Sequence, residues 1–348
     1  MLQTLYSFND SAFNEAQQYI IGFYRADLTP AENPVAIIVG AQPGAGKSYL
    51  EDIALEELGS NAMVCNLDEL RDFHPSANKI KSKHEAYYPE LTGNYAWKWR
   101  EGLMAYCVEN RLNFIMEVTF ANGADINNII EGLRENDYRV ELKLLAVHPQ
   151  LSLLGTQVRY ETQKLKEASG RIINKEAHDE RYSNLLPSLI RVQSASLYNK
   201  LQIYGRNVAT ARTSAIQGVH LIVTNPPNAV RVFQKVFDEP RPQKMLDFFE
   251  QEMQKVIGLK EARNVPAEEI AKFREEMKAE YISPRQMQQM AAQQAQEEKA
   301  VQELKAAQER KAAQEQREQE QQRKAEEERQ KLDLSRSRGH NRGGGLSR

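Results

Sequence analysis

Residues Ala41-Gln42-Pro43-Gly44-Ala45-Gly46-Lys47-Ser48 have the types and spacing of a loop that wraps phosphate. This is the Walker A arrangement, with Ala41 where glycine is commoner. Gly44 and Gly46 let backbone N–H groups curl around phosphate oxygens with no Cβ in the way. A helix starting near Lys47 points its positive dipole end at the same anion. Lys47 has the reach for the β- and γ-phosphates, and the Ser48 hydroxyl is placed to ligate Mg²⁺. The stretch from Gln42 to Ser48 is therefore the candidate nucleotide site, with ATP as phosphoryl donor and Mg²⁺ as its companion. A dinucleotide turn would instead need G-x-G-x-x-G, and the lysine argues against it.

Other candidates fall where a parallel sheet gathers its ligands, beyond the carboxyl ends of strands. Asp68 follows an apolar run and should face the phosphate loop. It can orient or deprotonate an acceptor hydroxyl, or it can simply cap the next helix. Glu117, in Glu117-Val118-Thr119, ends another apolar run. It is suited to a magnesium shell or to substrate hydroxyls, and equally to emerging into water. Arg159 and Arg171 are candidates for a lid that neutralises charge on a moving phosphoryl group. Lys164 and Lys166 read as solvated helix-face charges. His74 and His178 stand alone, and structural hydrogen bonding is expected of both.

These side chains need a scaffold, and the apolar pattern supplies one. Runs at 35–39, 62–67, 113–118 and 140–147 lack polar alternation and read as buried strands. Helical periods at 48–58, 95–109 and 126–135 lie between them. Strand and helix in turn predict an α/β fold, a P-loop kinase-type parallel sheet flanked by helices. A helix over 10–24 should pack on the sheet, 219–223 should add an edge or central strand, and 228–259 should close the domain with helices. The expected organisation is a P-loop domain over 1–260, a charged Gln/Glu/Lys/Arg-rich helical extension over 261–334, and a disordered basic tail over 335–348.

The 348-residue chain has a formal net charge of −2, so nothing global points to nucleic acid or to an anionic membrane. Its cysteines, Cys65 and Cys107, make neither a disulfide framework nor a zinc-type spacing. Without a basic leader, an apolar signal core or an apolar run of about 18 residues, a soluble cytoplasmic protein is expected.

Taken in order, these stretches resemble the zeta toxin family, the UDP-N-acetylglucosamine kinases of bacterial toxin–antitoxin systems. The likeness runs from Gln42–Ser48 through Asp68, His74-Pro75, Glu117-Val118-Thr119, Arg159-Tyr160-Glu161, Arg171 and Ala177-His178-Asp179. It covers roughly residues 30–250. The resemblance implies that Asp68 activates the sugar hydroxyl and Lys47 binds phosphate. It implies that Arg159 and Arg171 embrace the triphosphate, and that Glu117 and Thr119 hold the amino sugar. It further implies phosphorylation of the 3′-hydroxyl of a UDP-sugar, which blocks cell-wall precursor synthesis, and a small helical antitoxin that covers the ATP site. The family's usual glycine and arginine after Glu-x-Thr are replaced here by Phe120-Ala121. Two other readings stay open: a P-loop kinase for another small hydroxyl compound, and a nucleotide-switched interaction protein.

Overall fold

A computed structural model of the chain describes residues 2–25, 27–167, 170–207 and 218–278, with 299 and 302. Among these residues six strands form one sheet: β1 (Val35–Gly40), β2 (Met63–Cys65), β3 (Phe114–Val118), β4 (Arg139–Ala146), β5 (Lys200–Arg206) and β6 (Val219–Thr224). Their order across the sheet is β2-β3-β1-β4-β5-β6, parallel except for the antiparallel β6. The helices before β3 are α1 (Leu2–Tyr6), α2 (Asp10–Tyr24), α3 (Ser48–Glu57), α4 (Leu67–Leu70), α5 (Ala77–Lys83) and α6 (Tyr88–Glu109). Those after it are α7 (Gly123–Glu135), α8 (Pro149–Glu167), α9 (Lys175–Ala195), α10 (Ala229–Asp238), α11 (Gln243–Ala262) and α12 (Ala267–Lys278).

Because successive strand residues face opposite ways, β1 feeds two cores. Ala36 and Ile38 join Phe114, Met116, Leu142 and Leu144 under α2, α6, α7, α9 and α10. Ile37 and Val39 join Ile115 and Leu145 under α3, α8, α11 and α12. Lys143 also faces the second side and is fully buried, where its Nζ lies 2.8 Å from Glu57 Oε2 and 2.6 Å from Gln202 Oε1. That bond fastens α3, the helix after the phosphate loop, to β4 and β5.

Two features depart from the sequence pattern. Strand β5 has no counterpart among the expected runs, because Lys200, Gln202 and Arg206 interrupt its apolar residues. It nevertheless pairs with β4 along six residue pairs, so the antiparallel 219–224 strand sits at the edge, beside β5. The second feature is α12, which composition alone assigns to the charged extension. It buries Ile270, Phe273 and Met277 in the second core, at roughly 1.5–3 kcal/mol for each large side chain. Most of the 261–334 extension and all of the 335–348 tail lie outside the described residues. Among the described residues no helix is long and apolar enough to cross a membrane.

Candidate active site

The register of the central strands decides which side chains meet. Val39 pairs with Glu117 and Gly40 with Val118, so β1 and β3 end side by side. The chain then turns through Gly44 at φ +76° and Gly46 at φ +97°, backbone states that L residues rarely adopt. Helix α3 starts at Ser48 with Lys47 as its N-cap residue and no side chain on its first N–H groups. An anion at the mouth of the loop would find those donors and the positive end of the helix.

Lys47 is buried in this turn. Its Nζ lies 2.9 Å from Glu117 Oε1 and donates to the carbonyls of Ala41 (3.2 Å) and Gln42 (3.3 Å). Burial first, then the Arg159 guanidinium, push the ammonium down to about 7, against the pull of Glu51. The Glu117 carboxylate keeps a counter-ion on the amine, and a phosphate group would supply a stronger one. The Gln42 side chain is buried, and among the described residues neither its Oε1 nor its Nε2 has a hydrogen-bond partner.

Asp68 lies at the start of α4, three residues past the end of β2. The cap of α4 is Asn66, whose Oδ1 accepts from the Asp68 N–H at 2.9 Å, so the carboxylate of Asp68 is released from capping. It is surrounded by guanidinium groups: Arg159 Nη1 at 3.3 Å, Arg71 Nε at 3.5 Å, and Arg171 Nη1 in direct contact. Burial pushes the Arg171 guanidinium down to about 10, with Arg181 adding a like charge.

Arg159 projects from α8, and the helix is anchored on its other side two residues further on. Glu161 is fully buried and pairs with Lys260 (2.9 Å) and with both Arg263 Nε (2.8 Å) and Nη2 (2.9 Å) of α11 and its C-cap. The last turn of α8 and Gly170 beyond it are held by Glu85, which accepts from Lys164 Nζ at 2.9 Å and from the Gly170 N–H. Lys164 is thus a latch, where the sequence suggested a solvated charge.

Two clefts open on either side of the loop. One, of about 800 Å³, is lined by Gly44, Gly46, Ser48, Tyr49, Arg206 and Gly218 among others. The other, of about 670 Å³, brings together Pro43, Lys47, Asp68, Glu117, Thr119 and Arg171. Arg159 lines both. Every candidate from the sequence therefore borders this pair of clefts, except the buried Gln42 and the two histidines. Such an arrangement can hold a triphosphate on one side and a hydroxyl compound on the other, with cations where the two meet.

The sequence did not single out Arg71, Arg181, Arg206 or Trp97. Arg181 lines the second cleft from the first half of α9 and adds positive potential at Lys47 and Arg171. Arg206, at the end of β5, stacks on Tyr49 with 5.0 Å between guanidinium and ring centre. Each is a single basic or aromatic residue in a mixed segment, so spacing carries no signal of it.

The departure at Phe120-Ala121 also has a location. Phe120 takes φ +56°, a left-handed state that suits glycine and costs other residues roughly 1 kcal/mol or more. Its ring is buried against Gly40, where a Cβ would come within 2.8 Å of it. His74 accepts from the Ser76 N–H at 3.1 Å and meets the rings of Phe8 and Tyr95, the structural role expected of it.

Comparison with known proteins agrees with this architecture. The family profile described as Zeta toxin matches residues 24–215. The chain is 27% identical over 201 residues to Toxin PezT of Streptococcus pneumoniae, spanning 58% of this chain and 79% of that protein. It is 24% identical over 200 residues to Toxin zeta of Streptococcus agalactiae, spanning 57% and 70%. A solved structure from the PezAT chromosomal toxin–antitoxin system of S. pneumoniae superposes with a TM-score of 0.64 at 23% identity. It covers 73% of this chain and 98% of that one, and supports the fold.

Proposed function

Because the chain belongs to the zeta toxin family, we propose that it is an ATP-dependent kinase of UDP-N-acetylglucosamine or a related UDP-sugar, and the toxin of a toxin–antitoxin pair. The observation that carries this reading is the meeting of two clefts at Arg159, with Lys47 and Asp68 lining the second beside it. The triphosphate would lie in the phosphate loop, with Lys47 leaving Glu117 for the β- and γ-phosphates. Arg159 and Arg171 would turn from Asp68 to the same oxygens, and the freed carboxylate would take the proton of the sugar 3′-hydroxyl. The hydroxyl oxygen forms a bond to the γ-phosphorus as the bond to the β,γ-bridging oxygen breaks, leaving ADP. Glu117, once parted from Lys47, and Thr119 would then hold the amino sugar.

The protein donors fit Mg²⁺, a hard cation that prefers phosphate and water oxygens around one or two protein oxygens. Ser48 would supply the hydroxyl, and the ion would neutralise charge on the triphosphate. The similar proteins are named toxins, and a solved likeness comes from a toxin–antitoxin system, which supports a small helical antitoxin over the ATP cleft here.

The test is direct. Purified chain, ATP, Mg²⁺ and UDP-N-acetylglucosamine are incubated, and the sugar nucleotide is examined by mass spectrometry for one added phosphate. Phosphate appearing on a different hydroxyl compound, with no UDP-sugar modified, favours the broader P-loop kinase instead.

A further inference from the structure

Ser152, in the first turn of α8, and His178, in the first turn of α9, are both fully buried. Ser152 Oγ donates to the Pro43 carbonyl at 2.7 Å. His178 Nε2 lies 3.1 Å from Ser152 Oγ, and its Nδ1 lies 3.0 Å from Asp179 Oδ1. The order Asp179–His178–Ser152 has the connectivity of a nucleophilic triad, but its chemistry differs. No substrate reaches a fully buried Oγ, and the serine proton goes to a carbonyl of the phosphate loop.

That carbonyl belongs to the peptide joining Pro43 to Gly44. A planar trans peptide points its C=O and its N–H in opposite directions. With the Pro43 oxygen drawn toward α8, the Gly44 N–H is turned away from α8. A flipped peptide would present an oxygen to an arriving phosphate instead of a donor, and like charge would repel. A hydroxyl has one proton, so Ser152 accepts from His178 while it donates to Pro43. Burial works against ionisation of Asp179, yet hydrogen bonds from His178 and Lys175 hold its carboxyl below the usual carboxylate range. The imidazolium form, with an N–H on each ring nitrogen, serves the Asp179 carboxylate and Ser152 at once, so Asp179 fixes the ring that serves Ser152.

Backbone contact reinforces the chain of bonds. A Cβ on Gly44 would lie 2.2 Å from the Ser152 carbonyl oxygen, and one on Gly155 would lie 2.1 Å from the Gly44 oxygen. Backbone meets backbone there, with the Thr156 methyl alongside.

We infer that Asp179, His178 and Ser152 are positioning residues, a buried relay that sets the Pro43–Gly44 peptide so that its N–H faces the nucleotide's phosphates. The inference rests on the nucleotide reading of the loop given above. It also ties the loop to α9, the helix that carries Arg181.

Calorimetric titrations of the full chain with ATP and with AMP test it. Ser152→Ala should weaken ATP by about tenfold, equivalent to about 1.4 kcal/mol, and leave AMP, which lacks the β- and γ-phosphates, unchanged. His178→Leu should weaken ATP similarly. The double variant should be no weaker than either single one, since both act through one bond. His178→Gln, whose amide can still donate to Ser152, should restore most of the affinity. Melting temperatures run beside each titration exclude unfolding as the cause. Equal weakening of ATP and AMP, additive losses, or unchanged ATP affinity in a folded Ser152→Ala chain would each overturn the relay. A wild-type chain that binds no nucleotide overturns the proposed function, and the relay with it.

Discussion

Replacing Asp68 with Asn separates the chemistry of that carboxylate from its electrostatics, because the structure predicts opposite signs for the two. In the free protein Asp68 is the counter-ion of Arg71, Arg159 and Arg171. A triphosphate that recruits Arg159 and Arg171 must first break two of those pairs. Asp68 is 38% exposed, so each pair is worth about 0.5 kcal/mol, the middle of the range for solvent-screened ion pairs. Releasing both in Asp68→Asn should tighten ATP by about 1 kcal/mol, roughly fivefold. Turnover should move the other way, falling ~10²–10⁴-fold with the loss of a positioned base. Single-turnover phosphate transfer beside a calorimetric ATP titration reads both at once. The helix should not suffer, since its cap is Asn66. Weaker ATP binding by a folded Asp68→Asn chain would assign the carboxylate to the metal. Full turnover would refute the base role outright and pass it to Glu117.

Two more outcomes follow from neighbouring charges. With Lys47 near 7 in the free protein and raised once phosphate pairs with it, ATP binding should take up close to one proton at pH 8. Affinity should then fall as pH rises above about 7, and Lys47→Met should abolish the uptake; calorimetry in buffers of different ionisation enthalpy measures it. Removing the fully buried Glu161 as Glu161→Ala strands Lys260 and Arg263, which should cost about 3–5 kcal/mol in urea unfolding. A loss below 1 kcal/mol would mean the α8–α11 clamp is slack.

The part of the site that the sequence revealed is the part built from backbone. The phosphate loop is legible because only glycine accepts φ +76° and +97° without strain, and the strands before it are legible as unbroken apolar runs. Asp68 and Glu117 were legible as the first charges after such runs, while their partners were not. That Asn66 caps α4, that Glu117 holds Lys47, and that Glu85 latches Lys164 depend on register and helix phase over separations of up to 79 residues. Strand β5 was hidden for a different reason: Lys200 and Gln202 are needed at its start, where they meet Glu57, Glu141 and Lys143. His178 was assigned a structural bond correctly, but the partner Ser152 and the destination Pro43 emerge only when α8 lies against the loop.

That bare contact of α8 on the loop has a bearing on how such a site can diversify. With Gly155 resting directly on Gly44, and Arg159 one turn further along the same helix, the backbone itself sets the spacing of α8 from the loop at that point. The opposite wall is made of replaceable side chains, Trp97 and Arg100 from α6 and Asn122, Asp125 and Asn128 at α7. Mutation can reshape that wall residue by residue while the phosphoryl group stays where the loop holds it. A descendant of this chain with a new acceptor should therefore carry its changes on α6 and α7, and keep glycine at 44 and 155.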